Sequence, residues 1–193
     1  MARDMPLLLL TLLLVACDDD SGQMTARDAA AAAAVDAATD DATDLDWSAL
    51  VAAGAWTDAP PQDDPLSGHQ PDAIECDIAG WFVENGELEV NTSRCNYLAL
   101  TQPSLTAVEP GDVINLQLRH FDLTAPEPAS AHVALLFGDD VVWELDVPIP
   151  GAAQVLDVEW TAQGALPEGS PVGLHLHNHG QNTWTLAHVR TRR

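Results

Sequence analysis

Beyond Ile74 the chain consists of short apolar runs rich in Val, Leu and Trp, cut at close intervals by Gly, Pro and Asn, with no helical period of useful length. Alternation with a period of two predicts strands at Gly80 to Val83, Glu87 to Asn91, Tyr97 to Gln102, Val113 to Asp122, Ala131 to Gly138, Val141 to Val147, Gln154 to Thr161, Val172 to Asn178 and Thr183 to Arg190. Asn85-Gly86 and Gly138-Asp139-Asp140 stand where tight hairpins belong, because these residues tolerate positive φ. Short strands at this spacing predict an all-β domain, a two-sheet β-sandwich or jelly roll over residues 73–193. Ile114, Leu116 and Leu118 point one way and Asn115, Gln117 and Arg119 the other. Val172, Leu174 and Leu176 likewise oppose His175, His177 and His179.

Upstream the pattern differs. An apolar run from Met5 to Ala16, with Arg3 in a short polar head before it, is about the length of a signal-peptide core and short of the roughly 20 residues that span a bilayer. It closes on Leu14-Val15-Ala16-Cys17, and Asp18, Asp19 and Asp20 follow. Residues 1–16 are therefore read as a signal peptide and 17–72 as a disordered acidic tether of Ala, Asp, Pro, Gly and Ser, holding the run Ala29 to Ala34. Asp44 to Ala55 predicts at most a helical turn or two around Trp47, Leu50 and Val51.

The formal net charge of −23 over 193 residues, with no lysine, repels any polyanion and excludes nucleic acid as a partner. Arg190, Arg192 and Arg193 read as a solvated tail rather than a phosphate site.

Leu14-Val15-Ala16-Cys17 resembles the bacterial lipoprotein signal, which implies that Cys17 becomes the first mature residue and carries the lipid. The resemblance implies an exported protein anchored to a bacterial membrane through Cys17, with the membrane and leaflet left open. With Cys17 lipidated, Cys76 and Cys95 remain as an even pair in an oxidising compartment. A bridge between them closes a loop of about 20 residues, worth roughly 3 kcal/mol in the chain-entropy model. Two unpaired buried thiols are the alternative.

Gly80-Trp81 with Gly86-Glu87-Leu88-Glu89-Val90 resembles the opening strands of galactose-binding-domain-like jelly rolls, carbohydrate-binding modules among them. Leu100-Thr101-Gln102-Pro103 followed by Val108-Glu109-Pro110-Gly111-Asp112 resembles their second signature, a glutamine-bearing strand that passes through a Pro-Gly turn into a long central strand. The closing hairpin, Leu174 to Val189 with Gly180 and Trp184, is similar to their last one. Ala187-His188 stands where those modules often carry an aspartate, so their calcium site is not carried over.

His175-Leu176-His177-Asn178-His179 is the sharpest chemical feature of the domain. Three readings of it stand. In the first, the histidines lie on a half-exposed sheet face with ordinary partners, as in a purely structural envelope lipoprotein with no small ligand. In the second, Asn115, Gln117, Arg119, His175 and His177 donate to sugar hydroxyls while Trp184 or Trp143 supplies an apolar platform. In the third, His175 and His177, about 7 Å apart at their base, hold a divalent transition metal with His120 or His132 as a further ligand, a spacing also found in cupin jelly rolls. No glutamate follows His177 as the cupin pattern requires. No catalytic set is legible, since Ser93 and Ser170 lack a nucleophile-elbow pattern. The expectation is a non-enzymatic binding or interaction module without a cofactor, its partners being membrane lipid and an envelope or extracellular carbohydrate or protein.

Overall fold

The structure, a computed structural model, describes residues 46–60 and 63–193. The signal-peptide run, Cys17 and the tether as far as residue 45 lie outside the described residues.

The described chain is an antiparallel β-sandwich. Its strands are β1 (Ser48–Ala49), β2 (Thr57–Asp58), β3 (Trp81–Glu84), β4 (Glu87–Asn91), β5 (Tyr97–Pro103), β6 (Val113–His120), β7 (Ala129–Phe137), β8 (Asp140–Ile149), β9 (Gln154–Thr161), β10 (Pro171–Asn178) and β11 (Thr183–Arg192). The first sheet runs β3-β4-β11-β6-β9, and the second β2-β5-β10-β7-β8. In the first sheet β1 pairs with β11 at Ser48↔Thr191 and Ala49↔Arg190, extending the edge that β4 covers farther back along β11.

The predicted alternation is realised. Ile114, Leu116 and Leu118 of β6 and Leu174 and Leu176 of β10 all face the core, with Leu88, Leu100, Val133, Leu135, Trp184 and Val189. Asn85 and Gly86, at φ of 52° and 82°, make the two-residue turn between β3 and β4, the left-handed pair that matches strand twist. Gly138 at φ 61° does the same between β7 and β8.

Cys76 and Cys95 form a disulfide across a separation of 19 residues, joining the approach to β3 to the turn before β5. Gly80 is needed beside it, because a Cβ there would stand 2.8 Å from Cys76 Sγ and 3.0 Å from both Cys95 Cβ and the Asp77 carbonyl oxygen. Asp77 and Arg94 pair over the same turn, Arg94 Nη2 donating to Asp77 Oδ2 at 2.7 Å.

The domain begins earlier than residue 73. Leu50 is wholly buried and Trp56 nearly so, and Leu50 N–H donates to the Val189 carbonyl at 2.9 Å. The helical turn expected within 44–55 is replaced, over the described residues, by β1 and a 3-10 turn at Ala53–Ala55. Two buried apolar side chains anchor what composition alone marks as a solvated tether. Nor are Arg190 and Arg192 a solvated tail, for both lie in β11 with their guanidinium carbons 4.7 and 4.4 Å from the Trp47 ring centroid.

Candidate functional site

The polar side chains of the sequence reading fall on two opposite surfaces. Asn115, Gln117 and Arg119 lie on the outer face of the first sheet, because their neighbours Ile114, Leu116 and Leu118 fill the core. There Asn115 Nδ2 donates to Asp157 Oδ1 at 2.6 Å, and Asn115 Oδ1 receives Arg190 Nε at 2.8 Å and lies 2.7 Å from His188 Nε2. Arg119 forms a two-pronged ion pair with Glu87, whose carboxyl it holds below the usual glutamate range. Asn115 and Arg119 are thus engaged by their neighbours on this face.

His175 and His177 lie on the outer face of the second sheet, across the core from the first. Trp184 is between the sheets, 1% exposed, packed on His120 with ring centroids 4.5 Å apart. His120 is likewise turned into the sandwich, its Nδ1 donating to the Phe121 carbonyl at 2.8 Å. Trp143 packs partly against the core. The expected sugar face of Asn115, Gln117, Arg119, His175, His177 and Trp184 is therefore not assembled, and His120 does not reach His175 or His132. Alternation places each residue on a strand face, but only sheet order says which faces are shared.

What the second sheet does assemble is a different group. In register, His175 of β10 lies beside Ala99 of β5 and Ala134 of β7, and His177 lies between Tyr97 and His132. The small Ala neighbours leave room above His175, and the segment 63–70 fills it. Asp64 Oδ1 accepts the Leu66 N–H at 2.9 Å, an Asx-type turn that opens the 3-10 turn Ser67–His69. Asp64 Oδ2 accepts the Tyr97 hydroxyl and Gln70 Nε2, the latter at 3.3 Å. This strap sets the His69 ring on His132, centroids 4.2 Å apart and 15° from parallel, and 5.5 Å from His175.

The electrostatics follow from cover. His175 is 1% exposed, and burial, then the neighbouring His132, pushes its imidazole down to about 3. Burial, then His179, takes the half-buried His177 down to about 4. Burial and then the Asp64 carboxylate hold the Tyr97 hydroxyl well above its ordinary value, so it stays a donor. His175 and His177 are thus neutral at pH 7, and His175 is buried rather than half-exposed as the first sequence reading has it, while His177 stays half-buried.

Beside Tyr97 the strap leaves a groove of about 510 Å³ bordered by Asp58, Asp64, Gln70, Ile74, Ile78 and Trp81. Trp81 Nε1 donates to Asp58 Oδ1 at 3.1 Å, and Ile74 and Ile78 are exposed. His69, Asp64 and one wall of this groove, Asp58 to Gln70, come from the stretch read as tether. The one signal for them is the turn chemistry of Asp64-Pro65 and Ser67-Gly68.

The chain matches no protein-family model and no curated protein sequence. Among solved structures, carbohydrate-binding modules are similar in shape. One, described as "CBM4 structure and function", is 12% identical with a TM-score of 0.37 over 72% of this chain and 95% of that one. "Family 16 Carbohydrate Binding Module-2" is 10% identical with a TM-score of 0.37 over 69% and 89% of the two chains. TmCBM61, in complex with beta-1,4-galactotriose, is 7% identical with a TM-score of 0.38 over 71% and 99%. At such scores the likeness carries no argument about ligand, and the sandwich assignment rests on the strand order given above.

Proposed function

We propose that this chain is an exported, lipid-anchored, non-enzymatic module that binds carbohydrate in the groove beside Trp81 and Tyr97. The observation that carries the reading is the composition of that groove, in which an indole and two exposed isoleucines stand next to the acceptors Asp58, Asp64 and Gln70. A sugar has apolar ring faces and edges dense in hydroxyls, so it needs both kinds of surface at once. The net charge of −23 selects against acidic glycans and favours neutral ones.

A glycan array probed with the folded protein is expected to give hits among neutral oligosaccharides. Trp81→Ala is expected to weaken them at least tenfold, with Arg119→Ala on the opposite face as the unaffected control. An array with no neutral hit, or hits indifferent to Trp81→Ala in a variant with unchanged circular dichroism, would sink the reading.

The anchor rests on Cys17, which the Cys76–Cys95 bridge leaves as the odd cysteine. A disulfide suits an exported chain. Growth with a tagged fatty acid is expected to label the native protein and leave Cys17→Ser unlabelled. Equal labelling of the two refutes lipidation at this residue.

A further inference from the structure

Two buried histidines on the second sheet have ring nitrogens without any partner among the described residues: both nitrogens of His175, and Nδ1 of His132. A neutral imidazole has one N–H to donate and one lone pair to fill. Leaving such a group buried and unmatched costs about 1–3 kcal/mol. His175 is 1% exposed and His132 8%, so bulk water does not meet the need.

The two are not alone. His69, carried on the strap, brings a third imidazole, and one ring nitrogen from each of His69, His132 and His175 lies within 4.8 Å of the others. Nitrogens bound at about 2.0–2.1 Å to one tetrahedral ion stand about 3.4 Å apart. From a spread of up to 4.8 Å the triad therefore closes by up to about 1.5 Å, with the exposed His69 ring turning out of its stack on His132 to converge on the ion. His132 also has a carboxylate behind it, since its Nε2 lies 3.1 Å from Glu144 Oε2 and its buried Nδ1 is left without a partner among the described residues. A carboxylate behind a ligating imidazole fixes the tautomer and raises ligand basicity. Asp64 acts electrostatically on His175 from the strap side, adding negative charge near the cluster.

We infer that His69, His132 and His175 form a binding site for a single divalent transition ion of the imidazole-preferring class, zinc or copper. Three nitrogen ligands and no thiolate fit these ions and disfavour calcium or magnesium, which take oxygen. The ion ties the strap to the second sheet and keeps a fourth position for water or an incoming group. This set differs from the one expected from sequence. It drops His120, which faces the core, and His177, whose ring packs on His179 at 4.3 Å, and it gains His69. The inference does not depend on the carbohydrate reading, which the array tests on its own in chelator.

The test is titration of chelator-stripped full-length protein with zinc chloride and, separately, copper chloride, followed by calorimetry and elemental analysis after gel filtration. One equivalent is expected to be retained. His69→Ala, at an exposed position, is expected to fold normally and to bind at least tenfold more weakly. Glu144→Gln is expected to lose about tenfold through the altered His132. His179→Ala is expected to bind within about twofold of the native chain, its ring lying outside the triad. Absence of binding by the native chain overturns the inference, as does affinity unchanged in both His69→Ala and Glu144→Gln. A loss confined to His179→Ala also overturns it, by moving the ion to the His177–His179 pair.

Discussion

A chain beginning at residue 73 is expected to show no cooperative unfolding transition, whereas one beginning at residue 46 melts as a single unit. Residues 46–72 place Leu50 at 0% exposure and Trp56 at 4%, and supply the strands β1 and β2. Truncating a buried leucine to alanine costs about 2–5 kcal/mol and a buried tryptophan about 3–5. Losing both side chains, together with the backbone bonds of β1 and β2, matches the roughly 5–15 kcal/mol that holds an ordinary domain together. The Ala52 backbone makes a further tie, its N–H donating to Gln102 Oε1 at 2.9 Å and its carbonyl accepting Gln102 Nε2 at 3.1 Å. Deletion would leave that amide, now 3% exposed, without its partners. Urea denaturation followed by tryptophan fluorescence reads the difference, with Leu50→Ala in the longer chain expected to lose about 2–5 kcal/mol on its own. Coincident urea midpoints for the two chains would show that residues 46–72 merely rest on a domain that folds without them.

Most of the sandwich was legible because its strands are long enough to show a period. Glu87–Asn91 and Gln154–Thr161 coincide with their expected limits, and the remaining long strands differ from theirs by a few residues at the ends. The two-residue strands β1 and β2 had no period to show. Leu50, beside Val51, and Trp56 are scattered hydrophobes in a field of Ala and Asp, and nothing local distinguishes a buried anchor from a chance one. The site was legible only strand by strand. His175 was marked by its spacing from His177, yet its companions come from β7 and from a turn more than a hundred residues earlier in the chain. Grouping Arg119 with His175 failed for the same reason, since β6 belongs to the first sheet and β10 to the second. Each of those strands has a polar face, and which faces meet is a property of topology rather than of alternation.

Trp184 separates the two accounts by experiment. As an exposed sugar platform it would change binding and leave stability nearly untouched when removed. As a core residue, 1% exposed and set between Val90 and His120 in register, it is expected to cost about 3–5 kcal/mol on Trp184→Ala. Its indole Nε1 is buried with no hydrogen-bond partner among the described residues, so the ring contributes volume rather than a polar contact. Trp184→Phe gives up part of that volume but relieves an unmatched N–H that costs about 1–3 kcal/mol. The phenylalanine variant is therefore expected to keep most of the native stability while the alanine variant loses it. Chemical denaturation of the pair decides the matter, and equal, small losses in both would return Trp184 to the surface role.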